Sequence, residues 1–183
     1  MLQHFALGAI LTHVMPYLSS IGIARSVSSL VALAIPVASI FGRLSSGWLR
    51  DRLGSRLLFT ASFASMTAGL LLFGYVTIER MWLLVPFIIT FSLGWGTNAT
   101  TRITLLREYF GRERFGTILG FIMGITMLGH VSGAPLAGWV FDTWGSYQGA
   151  WLGSCALTIA ALVIMATTPP TGKTIQPVDQ SRP

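Results

Sequence analysis

A few polar and ionisable side chains interrupt long apolar stretches of this sequence, and they are its candidates for chemistry. The set consists of His13, Tyr17, Thr97, Asn98 and His130. If these stretches cross a bilayer, each polar group is costly there and becomes a candidate to contact a solute. We predict that His13, Tyr17 and Asn98 face a substrate cavity. The alternative is that they hydrogen-bond neighbouring helices, which is ordinary in membrane bundles.

The charged side chains limit the kinds of site that are possible. No Asp or Glu lies deep in an apolar stretch, so a coupled proton would have to be carried by a histidine, whose pKa is near neutral. Arg102 lies about 30 Å along a helix from Trp82, near its far end. We interpret it as a side chain that reaches the membrane surface, in preference to an anion anchor. The isolated histidines lack metal-site spacing, and we expect no cofactor and no enzymatic activity.

Composition points to a membrane protein. Of 183 residues, 52% are hydrophobic and 10% are charged, against about 25% charged in an ordinary soluble domain. The net charge of +6 would suggest nucleic-acid binding in a soluble protein. Here the arginines form short clusters between apolar runs, which is typical of cytoplasmic loops, so we expect a lipid bilayer and no nucleic acid as the partner.

Six apolar runs are each about long enough to cross a bilayer. They are Leu2–Ser19, Val27–Leu49, Leu57–Val76, Met81–Thr101, Phe115–Phe141 and Tyr147–Thr167. We therefore predict an all-α membrane protein with a six-helix transmembrane bundle over residues 1–168. The polar, proline-containing segment 169–183 is predicted to be a disordered cytoplasmic tail.

The basic residues predict the orientation of these runs. With the loops after the second and fourth runs inside the cell, ten basic residues are internal and two, Arg25 and Arg80, are external. The internal ones are Arg43, Arg50, Arg52, Arg56, Arg102, Arg107, Arg112, Arg114, Lys173 and Arg182. The positive-inside rule then places both termini in the cytoplasm, and we expect a multi-pass protein of the plasma membrane.

An internal repeat is the strongest organisational signal. The pattern Gly-x4-Gly-Trp-x2-Asp-x2-Gly-Ser occurs from Gly42 to Ser55 and again from Gly133 to Ser146, 91 residues later. Three runs lie within that offset, and an odd number inverts a unit in the membrane. The spacing predicts a 3+3 inverted repeat, as is common in secondary transporters. The alternative is that these residue types simply favour helix ends and interfaces.

One loop carries a resemblance to a known family. The segment Gly47-Trp-Leu-Arg-Asp-Arg-Leu-Gly-Ser-Arg56 resembles the G-x-L-x-D-R-x-G-x-[RK] loop signature of the major facilitator superfamily, and it falls in the same slot after the second helix. The segment 108–116 and the later Gly-Trp-x-x-Asp resemble the C-terminal half of monocarboxylate and oxalate/formate-type members. The resemblance runs from about Leu7 to Ala166. It implies half of a major facilitator fold and a small-molecule solute, with an organic anion and a coupled proton as candidates.

The same signature predicts a conformational latch on the cytoplasmic side. Gly47 would let two helices approach closely, and Asp51 would sit near the positive N-terminal end of the fifth helix. Arginines around the acidic residues would complete a network that breaks in one transport state. The predicted latch consists of Gly47, Asp51, Arg52, Gly54, Arg56, Arg112 and Arg114. The alternative is a topology signal alone.

The resulting prediction is transport of a small solute by alternating access, as a symporter or antiporter. Met1 falls at the edge of the first apolar run, so we expect a chain that lacks an N-terminal half. A half-size protein that pairs with a second copy or a partner is the next possibility. A membrane scaffold or assembly subunit without transport activity of its own belongs to another class, and solute uptake separates it from a transporter.

Overall fold

A computed structural model describes residues 1–111 and 115–167 of the chain, and within them the protein is a bundle of six α-helices. The helices are α1 (Leu2–Ser20), α2 (Arg25–Leu53), α3 (Ser55–Gly74), α4 (Leu84–Phe110), α5 (Phe115–Trp144) and α6 (Gln148–Thr167). A short 3-10 helix, Ile78–Leu83, precedes α4. The segment 169–183, predicted to be a disordered tail, lies outside the described residues.

The six predicted runs are confirmed as six helices. Two features differ from the prediction: the bounds of the fourth helix and the hydropathy of the first. The fourth run was placed at Met81–Thr101, whereas α4 starts at Leu84 and continues to Phe110. Its charged final turns stay helical because neither glycine nor proline occurs between Gly96 and Gly111. Five of the helices are long and apolar enough to cross a membrane. Helix α1 is not among them, because Gln3, His4 and His13 lower its hydropathy.

The helices cross where glycines bring backbones into contact. A Cβ at Gly42 of α2 would collide with the Leu93 carbonyl of α4, and one at Gly96 of α4 would collide with the Ser39 carbonyl of α2. The α1–α5 crossing is built the same way. There, Gly8 lies against the His130 carbonyl and Gly133 against the Phe5 carbonyl. Each crossing therefore uses two reciprocal glycines and leaves no room for a side chain.

These two crossings correspond position by position. Gly8 and Gly96 are 88 positions apart, as are Phe5 and Leu93. On the partner helices, Gly42 and Gly133 are 91 positions apart, as are Ser39 and His130. The two loop glycines at the same 91-residue offset share a backbone conformation as well. Gly54 has φ +79° and Gly145 has φ +66°, values that favour glycine because other residues are strained there.

Aromatic packing fills the end of the bundle near the α1–α2 and α3–α4 connections. Phe73 stacks on Phe87 with ring centroids 4.4 Å apart, and Tyr17 meets Phe73 edge to face at 4.9 Å. Trp151 of α6 is fully buried against the same rings. This cluster joins α1, α3, α4 and α6 into the main core, whereas α5 contributes little to it.

Substitutions at the crossings provide a direct test of this packing. We expect Gly8→Ala and Gly96→Ala each to destabilise the protein by about 1–3 kcal/mol, because the added methyl group meets a backbone carbonyl. The matched control is Gly120→Ala in α5, where a Cβ meets no other atom within 4 Å. It should leave stability unchanged or raise it by up to about 1 kcal/mol. The effect of all three substitutions is measured as the change in unfolding temperature in detergent. Equal unfolding temperatures for Gly96→Ala and Gly120→Ala would contradict the crossing geometry.

Candidate functional site

Polar side chains from three helices converge on one cavity of about 340 Å³. It lies among α1, α3, α4, α5 and α6, and we call it the polar cavity. Its polar lining residues are Gln3, His4, Asn98, Arg102 and Thr126. The remaining wall is apolar and includes Phe59, Phe63, Ile122 and Met165. Convergent polar groups in an otherwise apolar pocket are the usual form of a small-molecule site.

Arg102 is the charged group of the polar cavity. Its Nη1 lies 2.9 Å from His4 Nε2, and since a guanidinium only donates, Nε2 must accept. His4 is therefore neutral in this arrangement and carries its proton on Nδ1. The Nε of Arg102 is buried without a hydrogen-bond partner among the described residues. The guanidinium is turned towards α1 and held by His4, and that Arg102 reaches the membrane surface stays a prediction.

Of the three predicted cavity residues, only Asn98 lines the polar cavity. Its Nδ2 donates to Ser62 Oγ of α3 at 3.1 Å, and the residue is 3% exposed. The neighbouring Thr97 donates instead to the Gly42 carbonyl at 3.2 Å, next to the α2–α4 crossing. Asn98 therefore ties α4 to α3 at the wall of the polar cavity.

His13 lies elsewhere, nine residues beyond His4 and just past the middle of α1. Its Nε2 is 2.8 Å from the Ala134 carbonyl and must donate to it. Nδ1 then accepts from the Tyr147 hydroxyl at 3.1 Å. Tyr147 stands between α5 and α6, where burial and the nearby Asp142 carboxylate both raise its pKa. The phenol therefore stays protonated at physiological pH, and this cluster holds α1, α5 and the start of α6 together.

Tyr17 is placed inside the aromatic core. The residue is 5% exposed, and its hydroxyl donates towards the carbonyls of Phe73 at 3.3 Å and Val76 at 3.1 Å. Those carbonyls belong to the end of α3 and the segment after it. The hydroxyl is thus committed to the backbone and does not reach the polar cavity.

The loop after α2 makes its contacts with near neighbours in the described chain. Asp51 pairs with its neighbour Arg50 at 3.2 Å and is 71% exposed. Arg52 stacks over the Trp48 ring, 4.1 Å from its centroid. The acid that approaches a helix start is Glu108 of α4, whose Oε1 accepts from Ser55 Oγ at 2.6 Å.

Two glycines of the predicted latch face open space within the described chain. A Cβ at Gly47 or Gly54 would meet no atom within 4 Å, so the close approach expected at Gly47 is not made within the described chain. A Cβ at Gly116, Gly120 or Gly124 of α5 would likewise meet no atom within 4 Å. The latch members Arg112 and Arg114 lie outside the described residues.

Sequence reasoning missed three polar residues of the polar cavity, Gln3, His4 and Thr126. His4 was overlooked because it stands in the first turn of the first apolar run, where a polar residue looks like a helix end. Thr126 was overlooked because one threonine in an apolar helix is unremarkable, and it also donates to the Met123 carbonyl at 2.9 Å. Their convergence with Arg102 depends on how α1, α4 and α5 are arranged, and hydrophobic periodicity does not report that arrangement.

Comparisons with known proteins give a consistent result. A family model described as Major Facilitator Superfamily matches residues 1–182. Monocarboxylate transporter 12 of Rattus norvegicus is 29% identical over 142 residues, which is 76% of this chain and 29% of that protein. A Multidrug resistance protein B homolog of Mycobacterium tuberculosis is 32% identical over 133 residues, 68% of this chain and 24% of that protein. The chain thus spans about three tenths or less of the length of these relatives.

The position of Tyr17 leads to a test that separates a structural role from solute binding. We expect Tyr17→Phe to lower stability by about 1–2 kcal/mol, because buried carbonyls lose a donor, and to leave solute uptake unchanged. The control is Tyr75→Phe, since Tyr75 is 50% exposed and should tolerate the change. Thermal unfolding and uptake are measured on the same preparations. If Tyr17→Phe lost solute uptake at unchanged stability, that result would support Tyr17 as a solute-binding residue.

Proposed function

The chain belongs to the major facilitator superfamily, a family of membrane transport proteins, and on that premise we propose that it moves a small solute by alternating access as a secondary transporter. We place it in the plasma membrane with both termini in the cytoplasm, because the basic loops favour that orientation. The relatives named as transporters support transport in preference to catalysis.

The observation that carries this proposal is the polar cavity. In a bundle whose spans are otherwise apolar, side chains of α1, α4 and α5 bring together an arginine, a histidine, an amide and a hydroxyl. Groups of this kind inside a membrane are expensive unless they serve a pathway or a site. We therefore propose Asn98, together with His4, Arg102 and Thr126, as solute contacts. His13 is proposed to act outside the cavity, at its junction with Tyr147.

The proposal includes a second six-helix unit as the opposite wall of the pathway, either a missing N-terminal half or a second copy of this chain. Wide apolar faces support this. Large side chains such as Leu44 of α2 and Phe121 of α5 are 74% and 70% exposed. Lipid can cover such faces, and so can a second bundle that rocks against this one.

We also propose that the bundle is a 3+3 inverted repeat. The matching crossings of α1 with α5 and of α2 with α4 support it, as do two matching apolar pockets. Leu58 and Ser62 line the pocket among α2, α3 and α4, and Ala150 and Ser154 stand 92 positions later in the pocket among α1, α5 and α6. Two units of similar crossings and opposite orientation suit a protein that alternates between two states.

A histidine is the proposed carrier of any coupled proton. Asp51, Glu79, Glu108 and Asp142 are the acidic residues of the described chain, and all lie near helix ends. His4 and His130 face the same opening beside the polar cavity. We propose His130 for this role, because His4 Nε2 accepts from Arg102 and that ring is held neutral.

Uptake into proteoliposomes tests the proposal. The full-length protein is reconstituted, and uptake of labelled organic anions, polyols and organic cations is compared with protein-free vesicles. We expect saturable uptake of one class and faster exchange when the same solute is trapped inside. A membrane scaffold would show neither, even where it still binds a protein partner.

The latch prediction has a sharper test at Asp51. We expect Asp51→Asn to lower the uptake rate about tenfold without changing the amount of inserted protein, because the latch would affect the transition and not the fold. The control is Glu79→Gln, an exposed acid on the opposite side, which should stay within twofold of the wild type. Unchanged uptake with Asp51→Asn would leave the loop as a topology signal only.

A further inference from the structure

We propose that the apolar pocket among α1, α5 and α6 is a binding site for a small neutral alcohol that enters from the bilayer, with Ser154 of α6 as its hydrogen-bonding partner. This pocket has a volume of about 310 Å³, and we call it the lateral pocket. The residues that line it and those that line the polar cavity have no member in common. The inference therefore goes beyond the proposed transport function and does not depend on it.

The first observation is an unsatisfied hydroxyl in the wall of the lateral pocket. Ser154 lines the pocket and is 1% exposed. Its Oγ has no hydrogen-bond partner among the described residues. A buried hydroxyl without a partner costs free energy in apolar surroundings, and a ligand that pairs with it removes that cost.

The pocket among α2, α3 and α4, which we call the counterpart pocket, shows what Ser154 lacks. There Ser62, 92 positions before Ser154, donates to the Phe59 carbonyl at 2.6 Å and accepts from Asn98 Nδ2 at 3.1 Å. Ile10, 88 positions before Asn98, has no polar side-chain group to offer. Ser154 is thus without both an acceptor and a donor, and a ligand hydroxyl replaces both because it donates and accepts.

The second observation is added space. The lateral pocket has about 310 Å³, whereas the counterpart pocket has about 180 Å³. At the 92-residue offset, Ala150 of the lateral pocket corresponds to Leu58 and Gly153 corresponds to Ala61. The smaller side chains leave room that the protein itself does not fill, and a hydrocarbon body gains dispersion contacts there.

The third observation is the character of the wall and its opening. Phe5, Leu136, Val140 and Leu157 make the wall apolar, and no ionisable side chain of the described residues lines it. Gly153 is exposed, and a Cβ there would meet no atom within 4 Å, so the pocket is open on the α6 side. Because α6 is long and apolar enough to cross a membrane, a ligand reaches this opening through hydrocarbon, which favours neutral molecules.

The dimensions of the lateral pocket limit the size of the alcohol. From Ser154 to Gly149, the first α6 residue of the lining, the helix axis advances about 7.5 Å. An extended alkyl chain advances about 1.3 Å per carbon–carbon bond, so a chain of about six carbons matches that length. An amide would also pair with the serine, but its additional polar atoms are costly to bring into hydrocarbon. The matching probe is therefore 1-hexanol.

Photolabelling of the full-length protein in lipid nanodiscs tests the inference. The label is a hexanol analogue with a diazirine on its chain, and the modified residues are identified by mass spectrometry of peptides. We expect modification of α5 and α6 at lining residues such as Leu136 and Leu157. Excess 1-hexanol should suppress this labelling at least about fivefold, whereas hexane at the same concentration in the bilayer should change it less than about twofold, because it offers no hydrogen bond.

Variants of two neighbouring residues separate the hydroxyl from the space. Ser154→Ala should lower the labelling about fivefold through the lost hydrogen bonds, and it should fold because it removes an unpaired hydroxyl. Gly153→Leu should lower it at least about tenfold, because its side chain occupies the space of the ligand. The matched control is Ala61→Leu, at the corresponding exposed position of the counterpart pocket, which should label within about twofold of the wild type.

Size-exclusion profiles and helix content establish that each variant is folded. If Gly153→Leu does not fold, Gly153→Ala takes its place and should lower the labelling several-fold, because it adds one methyl group where the pocket opens.

Three results would each overturn the alcohol site. These are labelling outside α5 and α6, equal suppression by hexane and 1-hexanol, and equal labelling of Ser154→Ala and the wild type. Equal suppression would mean that the pocket accepts any hydrocarbon, such as a lipid acyl chain. All three results leave the transport proposal standing. Conversely, labelling that depends on Ser154 in a protein without solute uptake would support the site while ending the transport proposal.

Discussion

Close contact between helix backbones is the constraint on which this structure depends. Lipid tails are as apolar as leucine, so burying leucine against another helix gains little in a membrane, and association relies on tight packing. Here that packing is provided by glycines of α1, α2, α4 and α5 lying on carbonyls of the partner helix. The crossings set the distance between helices, and the distance in turn decides which side chains can meet.

The polar side chains follow from this arrangement. Where α1 lies on α5 through Gly8 and His130, the start of α1 comes close enough to α4 for His4 to accept from Arg102. A wider crossing would leave the guanidinium without that acceptor. Just past the middle of the same helix, His13 reaches the Ala134 carbonyl and Tyr147. Helix α1 therefore carries one polar junction in its first turn and one near its middle, and its backbone contacts position both.

The sequence predicted the elements well and the site poorly, for separate physical reasons. Apolar runs of about 20 residues report directly on membrane helices, and glycines at a fixed offset report on repeated crossings. Whether Tyr17 faces a cavity or a core depends on which helix lies beside it, and here that neighbour is the carbonyl-rich end of α3. The contact of Arg102 was not predicted for the same reason, because its partner His4 is 98 residues away in sequence.

The proposed repeat also indicates where to look for function. Where equivalent positions of the two three-helix units hold different residue types, the packing that both units share does not explain the difference. Asn98 donates to Ser62 in one unit. Its counterpart 88 positions earlier is Ile10, and the equivalent Ser154 hydroxyl is buried without a partner among the described residues.

Arg102 has Val14 as its counterpart at the same offset. At these two positions α4 holds a charged residue and an amide, whereas α1 holds two aliphatic residues. Both units make their crossings with glycine, so the crossings do not require this difference. Packing accounts for what the two units share. The polar residues present in only one unit need another cause, and the proposed solute that enters between α1, α4 and α5 would provide it.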